Sequence, residues 1–131
     1  MIVGGYAVAR HGHVRATKDI DVFIRPDAEN APRVIQALRE FGAPLAALQI
    51  TASDFSTPGN VVQLGVPPLR IDVITSISGL DYDAASSDPA TIELAGRLVK
   101  VIGIDALLRN KRASGRPQDL ADIAALEGTK R

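Results

Sequence analysis

The chain has 131 residues, about one domain, and its 46% hydrophobic and 23% charged content is that of a globular domain with a buried core. Fifteen basic residues offset fifteen acidic ones, so no global field draws the protein to nucleic acid or to a membrane surface, and any phosphate-binding surface must be local. The lack of cysteine excludes disulfides and thiolate metal sites, no apolar run nears the roughly 18 residues of a membrane span, and no signal-peptide pattern opens the chain. Together these features predict a cytoplasmic protein without a membrane partner.

Met1-Ile2-Val3 reads as the end of a buried strand that meets Gly4-Gly5 and turns into a short helix, Tyr6 to His11. Consecutive glycines at such a junction let the backbone approach a ligand, and a helix start offers free N–H groups to a phosphate. A tight turn explains the pair equally well. Neither the P-loop nor the dinucleotide fingerprint fits, because no Gly-Lys-Ser/Thr follows and the next glycine is Gly12. Arg10, His11, His13, Arg15 and Lys18 then form a basic connector. His11 and His13 could imitate a metal pair, but no third ligand of that kind lies nearby. Arg15 is either a phosphate contact or a solvated loop charge.

In Asp19-Ile20-Asp21-Val22-Phe23-Ile24, apolar residues alternate with aspartates at the strand period of two. The two carboxylates therefore share one face, roughly 7 Å apart. Like charges that close raise one another's pKa unless a cation sits between them, and a hard, oxygen-preferring ion such as Mg²⁺ suits the pair. An edge strand with one polar face accounts for the same pattern without a ligand.

After Arg25-Pro26, Val34, Ala37, Leu38 and Phe41 fall at helical spacing, with Asp27 or Asn30 to begin the helix and Gly42 to end it. A strand is expected near Leu48 to Thr51, and a loop over Ser53-Asp54. Val61 to Leu64 and Leu69 to Ile74 form an expected hairpin around Gly65-Val66-Pro67-Pro68. In its second strand Arg70, Asp72 and Ile74 share a face, so a third carboxylate stands mid-strand where burial needs a partner. Gly79 to Pro89 is expected as loop, and Thr91 to Ala95 with Arg97 to Ile102 as a hairpin turning at Gly96. Two helices close the chain, Ile104 to Ser114 and Pro117 to Leu126. Lys111 lies on the core-facing stripe of the first with Ile104, Leu107 and Leu108, which suggests an ammonium leading out toward something anionic. Arg112, Arg116, Asp119 and Asp122 could equally form ion pairs across the helix junction.

The combination resembles the nucleotidyltransferase superfamily, whose fold is shared with DNA polymerase β. It is most similar to the small bacterial nucleotidyltransferase-like proteins, some of which serve in toxin–antitoxin or abortive-infection systems. The residues that carry the resemblance are Val3-Gly4-Gly5, a gap of thirteen residues from Tyr6 to Lys18, the triplet Asp19-Ile20-Asp21, and Asp72 on a later strand. Lys111 to Arg116 followed by Asp119-Leu120-Ala121-Asp122 matches a C-terminal element of the same small proteins. Two departures are Gln118 in place of a usual basic residue and the lack of a helix before the first strand.

The resemblance implies an α+β fold, a mixed sheet with helices packed on one side, as a single domain over 1–131 (sheet core 1–102, helical pair 103–131). It implies transfer of a nucleoside monophosphate from an NTP such as ATP to a hydroxyl on an RNA end, a protein side chain or a small molecule. Asp19, Asp21 and Asp72 would be the catalytic and metal-binding residues, with two Mg²⁺ ions that Mn²⁺ can replace. Gly4, Gly5, Arg15, Thr17, Lys111 and Arg116 would bind the nucleotide phosphates. A catalytically silent, antitoxin-like or regulatory subunit of the same fold is the alternative. Because the chain starts inside a strand whose apolar face needs cover, a homodimer, a partner protein or a truncated longer product is expected.

Overall fold

The computed structural model describes residues 1–16, 19–66 and 70–130. β1 (Ile2–Val3) runs straight into α1 (Gly4–Arg10), so the helix takes in both glycines and starts two residues earlier than the sequence suggests. β2 (Asp19–Phe23) follows the basic connector. α2 (Ala31–Phe41) has a proline in its first turn and ends at Gly42, whose φ of 92° is the left-handed conformation that glycine adopts at no steric cost. The expected strand near Leu48 to Thr51 does not form. That segment turns on itself, with Gln49 at φ 56°. The expected loop after it contains a single helical turn, α3 (Ser53–Ser56), held by the Asp54 carboxylate, which accepts from the Thr51 N–H at 2.8 Å, and by the buried Phe55.

β3 (Val61–Leu64) pairs antiparallel with β4 (Arg70–Ile74), as the hairpin pattern requires, while Pro67, Pro68 and Leu69 lie outside the described residues. Within the expected loop 79–89, α4 (Tyr82–Ala85) makes one turn because Asp81 caps it, accepting from the Ala84 N–H at 2.8 Å. β5 (Ala90–Leu94) and β6 (Arg97–Val101) form the C-terminal hairpin, and positive φ at both Ala95 and Gly96 gives a tight two-residue turn. α5 (Ile104–Ser114) and α6 (Pro117–Lys130) end the described chain.

Among the described residues the strands make one six-stranded mixed sheet in the order β3-β4-β2-β1-β6-β5, so the α+β class expected from the sequence holds. β2 lies parallel to β4, and β1 parallel to β6; the other neighbours are antiparallel. Alternation along β2 and β4 divides them into two faces. Val22 and Val73 are register partners and join Ile35, Leu38, Phe55 and Leu64 under α2. On the opposite face stand Asp19, Asp21 and Asp72, and beyond them Phe23 and Ile74 pack with Val8, Leu107, Leu108 and Leu126. Helices thus cover both faces rather than one. The aspartate strip turns apolar at its Phe23 and Ile74 end, and that end needs burial. No helix among the described residues is long and apolar enough to cross a membrane.

Candidate active site

The register of β2 against β4 builds the site. Asp19 stands opposite Arg70 and Asp21 opposite Asp72, so the alternating pairs Asp19/Asp21 and Arg70/Asp72 form a four-cornered patch on one face. Three corners are carboxylates and the fourth is a guanidinium. Asp72 is buried, while Asp19 and Arg70 each keep 28% of the side chain exposed. Arg70 Nη2 donates to Asp19 Oδ2 at 2.6 Å and to Asp72 Oδ2 at 3.3 Å. Arg70 Nε and Asp72 Oδ1, though 3.1 Å apart, are misaligned, and both atoms are buried without a hydrogen bond.

Asp21 is the corner that Arg70 does not hold. Among the described residues no hydrogen bond stabilises its charge, and its pKa is pushed up to about 6 by burial first, then by Asp72 and Asp19. Its carboxylate lies against Gly4, for β1 pairs with β2 so that Val3 faces Asp21. A Cβ at Gly4 would come within 2.1 Å of Asp21 Oδ2, and the φ of 66° at Gly4 also resists any side chain. The first glycine of the pair therefore makes room for a carboxylate, and Gly5 beside it is buried in α1.

A cleft of about 390 Å³ opens from this corner, lined by Gly4, Asp21, Ser76, Asn110, Lys111 and Arg116 among others. That is within the range of small-molecule sites. Lys111 reaches the cleft wall, but its ammonium is buried and lies 3.0 Å from Asp119 Oδ1 and 3.1 Å from Asp122 Oδ2. The anion it leads toward belongs to the chain itself. Arg116 Nε donates to Asp119 Oδ2 at 2.8 Å from an exposed position. Arg15 forks onto Asp122, with Nε 2.9 Å from Oδ1 and Nη2 3.1 Å from Oδ2. Gln118 Nε2 donates to Asp122 Oδ1 at 3.0 Å, and Arg112 pairs with Glu127. Burial would raise both buried carboxyls. Hydrogen bonds from Arg116, Lys111 and Ser114 outweigh it at Asp119, and those from Arg15, Gln118 and Lys111 at Asp122, so both are held below the usual carboxylate range.

Of the residues picked out in the sequence, Gly4, Asp19, Asp21 and Asp72 come together, while Gly5 is buried in α1 beside Gly4. Lys111 and Arg116 flank them while paired with α6, Arg15 is engaged by Asp122, and Thr17 and Lys18 lie outside the described residues. The two histidines part company. His11 Nε2 donates to the Ile102 carbonyl at 2.7 Å, whereas His13 sits 3.8 Å from Asp122. Sequence reasoning passed over Arg70 as a member of the site, although Arg70-x-Asp72 repeats the spacing of Asp19-x-Asp21. It also passed over Ser76 and Asn110 in the cleft, for which no motif gives a signal.

As the side chains stand, no three acidic or histidine groups among the described residues converge into a metal cage, and Arg70 reaches between Asp19 and Asp72. The donor set nonetheless fits a hard divalent cation. It is all oxygen, Asp72 Oδ1 is an orphaned buried acceptor, and burial and two neighbouring carboxylates disfavour the charge on Asp21.

No family model and no curated protein matches the chain. Solved structures do, two of them as follows. The lincomycin-bound lincosamide antibiotic adenylyltransferase LnuA aligns over 98% of this chain and 85% of its own, with a TM-score of 0.50 and 18% identity. An antigenic nucleotidyltransferase-like protein from Paracoccidioides brasiliensis aligns over 95% of this chain and 65% of its own, with a TM-score of 0.53 and 20% identity. The likeness runs through nearly the whole chain and is one of fold: an α+β nucleotidyltransferase fold.

Proposed function

We propose that the chain is a metal-dependent nucleotidyltransferase that moves a nucleoside monophosphate from an NTP to a hydroxyl acceptor. The observation that carries this reading is the cross-strand patch, with Asp21 lying over Gly4 at the cleft and Asp72 opposite it in register, one of its carboxylate oxygens buried without a hydrogen bond. Asp19, Asp21 and Asp72 would hold Mg²⁺, which supplies charge neutralisation for the triphosphate and a lowered pKa for the acceptor hydroxyl. The Asp72 carboxylate takes the hydroxyl proton as the acceptor oxygen bonds to the α-phosphorus, and the bond from that phosphorus to the bridging oxygen breaks to release pyrophosphate. The backbone of Gly4 and Gly5 receives the β- and γ-phosphates, and Arg116, exposed at the cleft, adds positive charge.

One observation favours a silent nucleotide-binding or regulatory subunit instead: Arg70, Lys111, Arg116 and Arg15 all have carboxylate partners within the chain. Incubation with α-³²P-labelled NTPs, Mg²⁺ and a cell extract separates the two. The enzyme reading expects label on an acceptor and its loss in Asp21→Asn and Asp72→Asn. Mg²⁺-dependent NTP binding with no transfer to any acceptor would favour the silent subunit.

A further inference from the structure

Arg70 opens β4 directly opposite Asp19, and one of its nitrogens touches carboxylates from two strands. This is the placement of a cation shared between like charges, where it offsets part of their mutual repulsion. The pairing is imperfect, since Nε and Asp72 Oδ1 lie buried and unbonded side by side, and the side chain is partly open to solvent. A guanidinium so held keeps its charge between the carboxylates but bonds them unequally, closely to Asp19 and weakly to Asp72. Lys111 is the contrast, with both of its ion pairs near 3 Å and almost no exposure.

Resting on the metal-dependent reading above, we propose that Arg70 is the resident counter-ion of the aspartate face and exchanges with the divalent cation. Without the ion, Arg70 bridges Asp19 and Asp72 and offsets part of the patch's negative charge. A cation that uses those carboxylates must displace the guanidinium, so Arg70 sets the metal affinity of the site as a positioning residue.

Mn²⁺ titration of the whole chain by electron paramagnetic resonance, with metal-free melting curves, tests the exchange. Arg70→Gln should bind Mn²⁺ at least about tenfold more tightly than wild type, because a competing charge contact is gone. It should also melt lower without metal and gain more from Mn²⁺. Arg70→Lys keeps the charge but not the fork, and should fall between the two; it also serves if Arg70→Gln does not fold. Asp21→Asn should abolish Mn²⁺ binding. Equal or weaker Mn²⁺ binding by Arg70→Gln overturns the exchange while leaving the metal site intact. Arg70→Lys matching wild type assigns the effect to charge alone and overturns the bridge. Mn²⁺ binding undiminished in Asp21→Asn places the ion elsewhere and overturns it too. No Mn²⁺ binding by wild type or either Arg70 variant overturns the metal-dependent reading, and the exchange with it.

Discussion

Asp119 and Asp122 on α6 are buried and each accepts from several donors, whereas Asp21 and Asp72 on the sheet are left short of partners in a partly buried patch. Lys111 lies near both groups and is committed to the first. The helical aspartates, with Arg15 forked onto Asp122 from the connector after α1, tie that connector to both C-terminal helices. Satisfied buried charges act as structure, and removing one partner strands the others. Under-partnered carboxylates carry an energetic burden that an arriving cation relieves. The same residue type thus stands in opposite states in one molecule, and the difference lies in how many donors the fold delivers.

The largest effect should come from breaking the satisfied cluster. Lys111→Met leaves two buried carboxylates short of a shared cation, although Arg116, Arg15 and Gln118 remain. A loss of about 3 kcal/mol is expected, or on the order of 10 °C in melting temperature, read by circular dichroism. An unchanged melting temperature with weakened NTP binding would instead make Lys111 a ligand residue.

The under-partnered group should respond with the opposite sign. Asp21 has its folded pKa near 6 against an ordinary 3.8, so its charged form is disfavoured by folding. The metal-free protein should lose stability as pH rises from about 4 through 6, and Asp21→Asn should remove that arm. At pH 7.5 the variant should be more stable by about 1–2 kcal/mol once solvent screening is allowed for. Asp119 and Asp122 work the other way. Their stabilisation is present above the ordinary carboxylate range and lost as pH falls below it. Melting curves from pH 3 to 8 on wild type and Asp21→Asn separate the two arms. A variant less stable than wild type at pH 7.5 would make Asp21 a structural acceptor.

The smallest effect should come from Arg112→Ala, since its pair with Glu127 is exposed on both sides. A change within about 0.5 kcal/mol is expected from chemical denaturation; a larger loss would mean that this face of the helix pair also belongs to the buried cluster.

Much of this molecule was legible from local pattern. Period two in Asp19 to Phe23 and Arg70 to Ile74 shows which residues share a face within each strand, and the helical spacing of Leu107, Leu108 and Lys111 brings the lysine to the buried side. Gly4-Gly5 before an aspartate pair marks a tight junction near charge. The short turns α3 and α4 escaped because each depends on one aspartate closing a few residues, too brief for any periodicity.

What tertiary structure alone decided is which neighbours meet. Strand register is a property of two distant segments, so nothing local places Arg70 across from Asp19 or Asp72 across from Asp21. The partner of Lys111 depends on how α6 packs back on α5, and that of Arg15 on where the connector after α1 crosses α6. Amino-acid pattern determined which side chains turn toward a core, because burial acts on each element separately. Long-range pairing determined which of those charges find partners and which are left short of them.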